Sequence, residues 1–233
     1  GDVYKRQVRV SYENSGIHFA REYIASYPGN VMAIRLTADQ ENTLSFTLDY
    51  DPGSGRTAIA DKAEGDSVLY QGKVTAGGMA FAVQVKVVAP DADIICNNDG
   101  TIAVKNGEDV LILMSAGTNY DITESNNINN ISDFQTADGD YLNNNDPDGA
   151  AAAQTVADRL NAAAQKGFAA LLKAHMDDYQ EIMGRVSLDL GDKEKASLPT
   201  DELLTSYKQE RSAYAETCLL YTSPEPTRLD VIS

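Results

Sequence analysis

The feature that most restricts this fold is a two-residue alternation of apolar and polar side chains, running with breaks from residue 8 to about 118. A period of two sends successive side chains to opposite faces of an extended strand, so each run presents one apolar face. Val8-Arg9-Val10-Ser11-Tyr12 opens the series, and Asn14-Ser15-Gly16 turns the chain into Ile17–Ser26, where Ile17, Phe19, Arg21, Tyr23 and Ala25 share a face. Pro28-Gly29-Asn30 turns it again into Val31–Ala38, and Leu44, Phe46, Leu48 and Tyr50 line one side of the next run. A glycine-rich loop at Asp51–Gly55 leads to a weaker strand, then to Val68–Val74, and then to Met79–Ala89 with Met79, Phe81, Val83, Val85 and Val87 on one face. Thr101–Lys105 and Val110–Ser115 close the series. Strands separated by short turns, with no helical period between them, argue for a large antiparallel β-sandwich.

The pattern then changes. Residues 119–148 are crowded with Asn and Asp and poor in large apolar side chains, which reads as a long polar loop or lid. Gly149–Ala164 is rich in alanine, with Val156 and Leu160 at helical spacing. Gly167–Met183 places Phe168, Leu171, Leu172, His175, Met176, Tyr179 and Met183 along one stripe of an amphipathic helix. Val186–Gly191 returns briefly to strand, and Leu198-Pro199-Thr200-Asp201-Glu202 opens a third helix with its acidic residues in the first turn. The passage from sandwich to helices falls near residues 145–150.

Charge and cysteine content exclude several roles. Nineteen basic residues against 35 acidic ones give a formal charge of −16. Such a field repels phosphate backbones and anionic membrane surfaces, so no nucleic-acid or membrane partner is expected. No apolar run approaches the ~18 residues of a membrane-spanning helix. Two cysteines, Cys96 and Cys218, make neither a disulfide framework nor a zinc cluster. The two ends are set apart on other grounds. Residues 1–7 (Gly-Asp-Val-Tyr-Lys-Arg-Gln) and the Cys218-Leu-Leu-Tyr-Thr-Ser stretch resemble translated sequencing adapter. Residues 1–7 and 218–233 are therefore read as artefact, which leaves Cys96 as a lone thiol.

No active site stands out from residue chemistry alone. Asn144-x-Asp146-x-Asp148-Gly149 matches the start of a calcium-binding loop, but position 12, where a bidentate Glu belongs, is Thr155, and Pro147 interrupts the loop. A solvated loop is the simpler reading, and the same holds for Asp91, Asp93 and Asp99. His175 could be a base or a metal ligand, yet no second His or Cys sits at ligand spacing; a buried, hydrogen-bonded histidine explains it as well. His18 alternates outward. Gly53-Ser54-Gly55 lacks the surroundings of a nucleophile elbow. Gly77-Gly78 reads as a hairpin turn, and Asn130-Ile131-Ser132 is a sequon only in a secretory context. Carboxylate pairs are numerous on any acidic surface, so they nominate no glycosidase dyad. No catalytic, cofactor-binding or metal residue is assigned.

Read as whole segments, the chain resembles the N-terminal region of glycoside hydrolase family 95, the inverting α-L-fucosidases. Val8-Arg-Val-Ser-Tyr, Ile17-His-Phe-Ala-Arg-Glu-Tyr-Ile-Ala-Ser-Tyr-Pro28 and Val31-Met-Ala-Ile-Arg-Leu-Thr-Ala-Asp39 are similar to a family hairpin. Gly77-Gly-Met-Ala-Phe81 is similar to a family strand. Ala174-His-Met-Asp-Asp-Tyr-Gln180 with Arg185-Val-Ser-Leu-Asp-Leu-Gly191, and Leu198-Pro-Thr-Asp-Glu-Leu-Leu-Thr-Ser-Tyr207, come next in family order.

The resemblance implies a mainly β fold: a large antiparallel β-sandwich (a supersandwich) at 8–145, a helical linker at 146–197, and at 198–217 the first helix of an (α/α)6 barrel. The barrel would carry the catalytic Glu and Asp, so this segment would be an inactive scaffold of a parent acting on fucosylated glycans, packed intramolecularly against that barrel. His175, Asp178, Tyr179 and Arg185 are expected to order the junction. No cofactor is implied, and the compartment stays open, with export of a bacterial parent a natural expectation. Two other readings stand beside it: a self-sufficient carbohydrate-binding sandwich, and a structural or adhesion domain. A parent with the same architecture but another sugar, such as a galactoside, is a fourth.

Overall fold

The structure is a computed structural model that describes residues 7–51, 54–75, 78–97, 99–120, 146, 148–185, 202, 205 and 208. Among the described residues ten strands precede one long helix: β1 (Val8–Asn14), β2 (Ile17–Ser26), β3 (Val31–Ala38), β4 (Leu44–Leu48), β5 (Arg56–Glu64), β6 (Ser67–Val74), β7 (Ala80–Val88), β8 (Asp93–Cys96), β9 (Ile102–Gly107), β10 (Asp109–Thr118) and α1 (Ala150–Met183). The alternating runs place nine of these strands to within a few residues. The exception is β8: Asp91 to Asp99 reads as loop, but Ile94 and Cys96 pack inward and pair with Val104 and Ile102 of β9. Four residues carry too little alternation to reveal a strand without their neighbour.

Every pairing is antiparallel. Seven strands form a sheet in the order β1-β2-β3-β10-β7-β6-β5, and three form a second sheet in the order β4-β9-β8. The chain leaves the large sheet after β3 to lay down β4, returns for β5, β6 and β7, leaves again for β8 and β9, and comes back as β10. That return puts β10 in the middle of the large sheet, between β3 and β7. A central strand buried on both faces has no use for polar alternation, and Val110-Leu111-Ile112-Leu113 is continuously apolar and buried.

The two faces of β10 belong to two cores. Val110 and Ile112 face the second sheet and pack with Val68, Tyr70, Val87, Ile102 and Val104, closed over by Leu44, Phe46, Leu48 and Tyr50. Leu111 and Leu113 face α1 and pack with Ile24, Val31, Ala33, Val156, Leu160, Phe168 and Leu171. The layers are thus small sheet, large sheet, helix. Each fully buried Leu or Ile here contributes roughly 1.5–3 kcal/mol from removal of apolar surface from water. Strand β2 shows the consequence for its own alternation. Ile24, on the opposite side from Phe19 and Tyr23, is the apolar residue of β2 that is fully buried, because the helix rather than the second sheet covers that part of β2.

Helix α1 carries the two helical stretches expected at 149–164 and 167–183, run together and joined at Gly167, whose φ of 70° and ψ of 168° lie outside helical values. The chain divides into two compact units, Gly1–Met183 and Gly184–Ser233. In the second, Glu202, Thr205 and Lys208 are helical and exposed, within the helix expected from Thr200. The polar segment 121–145, the strand expected at Val186–Gly191, Cys218 and the two end segments, apart from Gln7, lie outside the described residues.

Candidate functional site

The start of α1 is the most tightly organised polar site. Asn119, at the end of β10, is buried; its side-chain oxygen accepts from the Ala80 N–H at 2.9 Å, and its own N–H donates to the Ala80 carbonyl at 3.1 Å. Its amide group donates to the Asp146 carbonyl at 3.2 Å. The Asp146 carboxylate accepts from the N–H groups of Ala151 at 3.0 Å and Ala152 at 3.2 Å. First-turn N–H groups have no partner within their own helix, and an acidic oxygen there also favours the positive end of the helix dipole. Asp146 therefore caps α1. The calcium-like spacing through Asp146 and Asp148 is resolved otherwise: Asp146 is turned to the helix, and Asp148 pairs with Lys73 at 2.8 Å. The solvated-loop reading fails for Asp146 too, since it is buried. The signal available in the sequence was an Asp shortly before an alanine run, the ordinary mark of a helix start.

A second cluster lies on the helix side of the large sheet. Arg35 of β3 donates to both carboxylate oxygens of Asp109 in β10, at 3.0 and 2.6 Å, and stands 3.7 Å from Glu22 of β2. Gln7 is buried and donates to Glu22 at 2.8 Å. The paired carboxylate of Asp109 raises the Arg35 pKa further above its usual value. The Arg35 guanidinium also lies over the Phe168 ring, 5.8 Å from its centre. Sequence reasoning passed over Arg35; a lone cation inside Val31-Met-Ala-Ile-Arg-Leu36 was the signal.

The third feature is a groove of about 440 Å³ on the other side of the large sheet, where the second sheet stops at β4. Tyr12, Phe19, Tyr23, Leu36 and Phe46 line it, with Arg21 at its rim. Tyr12 and Phe19 stack across β1 and β2 with ring centres 5.1 Å apart. Arg21 lies over the Tyr12 ring and donates to its hydroxyl at 3.0 Å, which raises the Arg21 pKa. Flat rings beside a fixed cation can hold a ligand that presents an apolar face and a polar edge.

The expected junction residues lie along the end of α1. His175 is buried, Asp178 and Tyr179 are half-buried, and Arg185 is exposed in the turn after the helix. His175, Tyr179 and Arg185 each engage a partner. His18 is exposed, its ring 4.0 Å from Glu13. Asp99 holds the turn into β9 by accepting from the Thr101 hydroxyl and N–H, which lowers its pKa. Burial, with Asp66 nearby, pushes the Cys96 thiol up, away from the reactive thiolate. Among the described residues no group of three His, Cys, Asp or Glu side chains could hold a metal ion, and no helix is long and apolar enough to cross a membrane.

Fold and site thus define a β-sandwich scaffold with a capped helix laid across it. Residues 2–123, more than half of the chain, match the glycosyl hydrolase family 65 N-terminal domain. The chain belongs to that family of glycosyl hydrolase N-terminal domains. Residues 167–222 match the glycosyl hydrolase family 95 catalytic domain, so the order of segments is that of the N-terminal region of a family 95-like enzyme. The chain is 29% identical over 233 residues to a probable alpha-fucosidase A of Aspergillus niger, an alignment covering 94% of this chain and 27% of that protein. A putative kojibiose phosphorylase from the human microbiome has the same fold over 77% of this chain and 24% of its own, with a TM-score of 0.50 and 10% identity. The chain therefore spans about a quarter of the length of these two proteins.

Proposed function

We propose that this chain is the scaffold portion of an α-L-fucosidase-like glycoside hydrolase that releases terminal fucose from glycans with inversion. The observation that carries the reading is the colinear match of a glycosyl hydrolase N-terminal domain, a family 95 catalytic segment and a fucosidase relative along one chain. In this reading the sandwich spans 8–145, the linker 146–197 and the first barrel helix 198–217. The remainder of an (α/α)6 barrel supplies an acid that protonates the leaving oxygen and a base that activates water on the opposite face. The sandwich packs against that barrel within the same polypeptide, with no membrane or nucleic acid involved. His175, Asp178, Tyr179 and Arg185 order the junction rather than touch sugar. Residues 1–7 and 218–233 are adapter sequence, which reading the source DNA across both junctions tests directly.

The enzymatic test uses the full-length parent and this chain side by side on an aryl α-L-fucoside, following the anomeric product by NMR. The expected result is β-fucose from the parent and no turnover by the chain. Turnover of an aryl galactoside but not the fucoside would sink the sugar assignment, and turnover by the chain alone would sink the scaffold assignment. A second reading, a carbohydrate-binding module, draws on the groove lined by Tyr12, Phe19, Tyr23 and Arg21. Saturable binding of fucose by the isolated chain, lost in Tyr12→Ala, would favour it.

A further inference from the structure

We propose that Gly167, Phe168 and the ion-paired Arg35 form a fixed joint that sets the direction taken by the second half of α1, making Arg35 a positioning residue for the downstream segment. The proposal rests on reading that segment as the beginning of a catalytic domain, but the joint can be tested with no activity at all.

The break itself is dictated by the backbone. Gly167 combines a φ of 70° with a ψ of 168°, a region open essentially to glycine alone. A side chain there would meet nothing within 4 Å, so space does not select glycine; the backbone angle does. The family 95 match begins at this same residue.

A break alone would be a hinge, but the residues just after Gly167 pin it into a joint. Phe168 is 8% exposed and Leu171 is 1% exposed, both in the core between helix and sheet. Leu171 also approaches the Gly29 turn between β2 and β3, where an added methyl would stand 3.4 Å from its Cδ2. Two buried anchors one turn apart define an axis. Above the first anchor sits a cation that cannot rotate freely: Asp109 holds the Arg35 guanidinium by two bonds, and Glu22 lies beside it. Adjacent strands β2, β3 and β10 thereby fix one planar group over the Phe168 ring. Lysine could keep the charge but not the two-pronged geometry or the flat stacked face.

The experiment uses the 233-residue chain with Cys96→Ser and Cys218→Ser, carrying nitroxide labels at Gln154→Cys and Ala174→Cys, both exposed. A straight helix would separate these positions by about 30 Å. The joint predicts one narrow distance distribution centred short of that. Gly167→Ala should lengthen it toward the straight-helix value, while Arg35→Leu and Arg35→Lys should each broaden it with helix content unchanged by circular dichroism. Should Arg35→Leu fail to fold, Arg35→Lys decides. An unchanged centre and width in the folded Arg35 variants would overturn the proposal. A parent inactive on fucosides would leave these distances as predicted, so the two readings fail separately.

Discussion

Under the helix the large sheet presents Ala33, Ala80, Ala82 and Gly117 beside its leucines; under the second sheet it presents Val68, Tyr70, Val87, Val110 and Ile112. The small residues mark where a helix backbone comes close. A methyl added at Gly117 would stand 3.2 Å from Val156 Cγ2 and 3.4 Å from the Ala152 carbonyl oxygen. A methyl added at Gly149 would stand 3.1 Å from Ala80 Cβ. On the other face, two sheets leave room for β-branched and aromatic side chains to interdigitate. One sheet thus carries two packing rules, and its central strand β10 obeys both.

The comparison can be broken most severely at Leu113, which is fully buried under the helix. Leu113→Ala should cost about 2–5 kcal/mol in a urea melt, from lost burial plus the cavity left behind. A loss below ~1 kcal/mol would mean the helix is not seated on the sheet. Gly117→Ala tests the close approach from the opposite direction: one added carbon against Val156 and the Ala152 carbonyl should cost about 1–3 kcal/mol by overpacking. Its counterpart beneath the second sheet, Val87→Ile, adds a similar group beside side chains rather than helix backbone and should cost less. Equal costs would remove the distinction between the faces.

A smaller effect is expected at the helix start. Asp146→Ala should lose about 0.5–2 kcal/mol, with Asp146→Asn recovering much of it, because two first-turn N–H groups lose an acceptor. Calorimetry on the three proteins in the presence and absence of calcium separates capping from metal binding, since capping leaves the melts indifferent to the ion. Smaller again is Val10→Thr in β1, where every residue is exposed; its melt should stay within ~0.5 kcal/mol of the parent chain. Last comes the thiol beneath the second sheet. With its pKa raised, Cys96 carries little thiolate near pH 7, so in a Cys218→Ser chain its alkylation should be slower than that of free cysteine. The rate should climb only at more alkaline pH than free cysteine needs. Labelling as fast as glutathione at pH 7 would place Cys96 in water.

Most strands were legible because alternation is a local property: β3 at Val31–Ala38 and β2 at Ile17–Ser26 have the bounds their residues imply. The junction of the two helical stretches was legible for the same reason, since glycine between two apolar stripes marks a break. The polar sites were not. Asp146 looks like half of a calcium loop until the chain folds back to bring its carboxylate to Ala151 and Ala152. Arg35 looks like a stray charge until β10 returns from the second sheet and sets Asp109 beside it, 74 residues away.

The sequence by itself determined nine of the ten described strands, the two stretches of the long helix and most of the turns between them. Those properties depend on side-chain period and backbone preference within a few residues. Only the tertiary structure decided that β10 lies at the centre, that each face of one sheet has its own cover, and that Arg35 meets Phe168. These are contacts between residues far apart in the chain, and no local pattern encodes the partner that a buried charge or a flat ring finally meets.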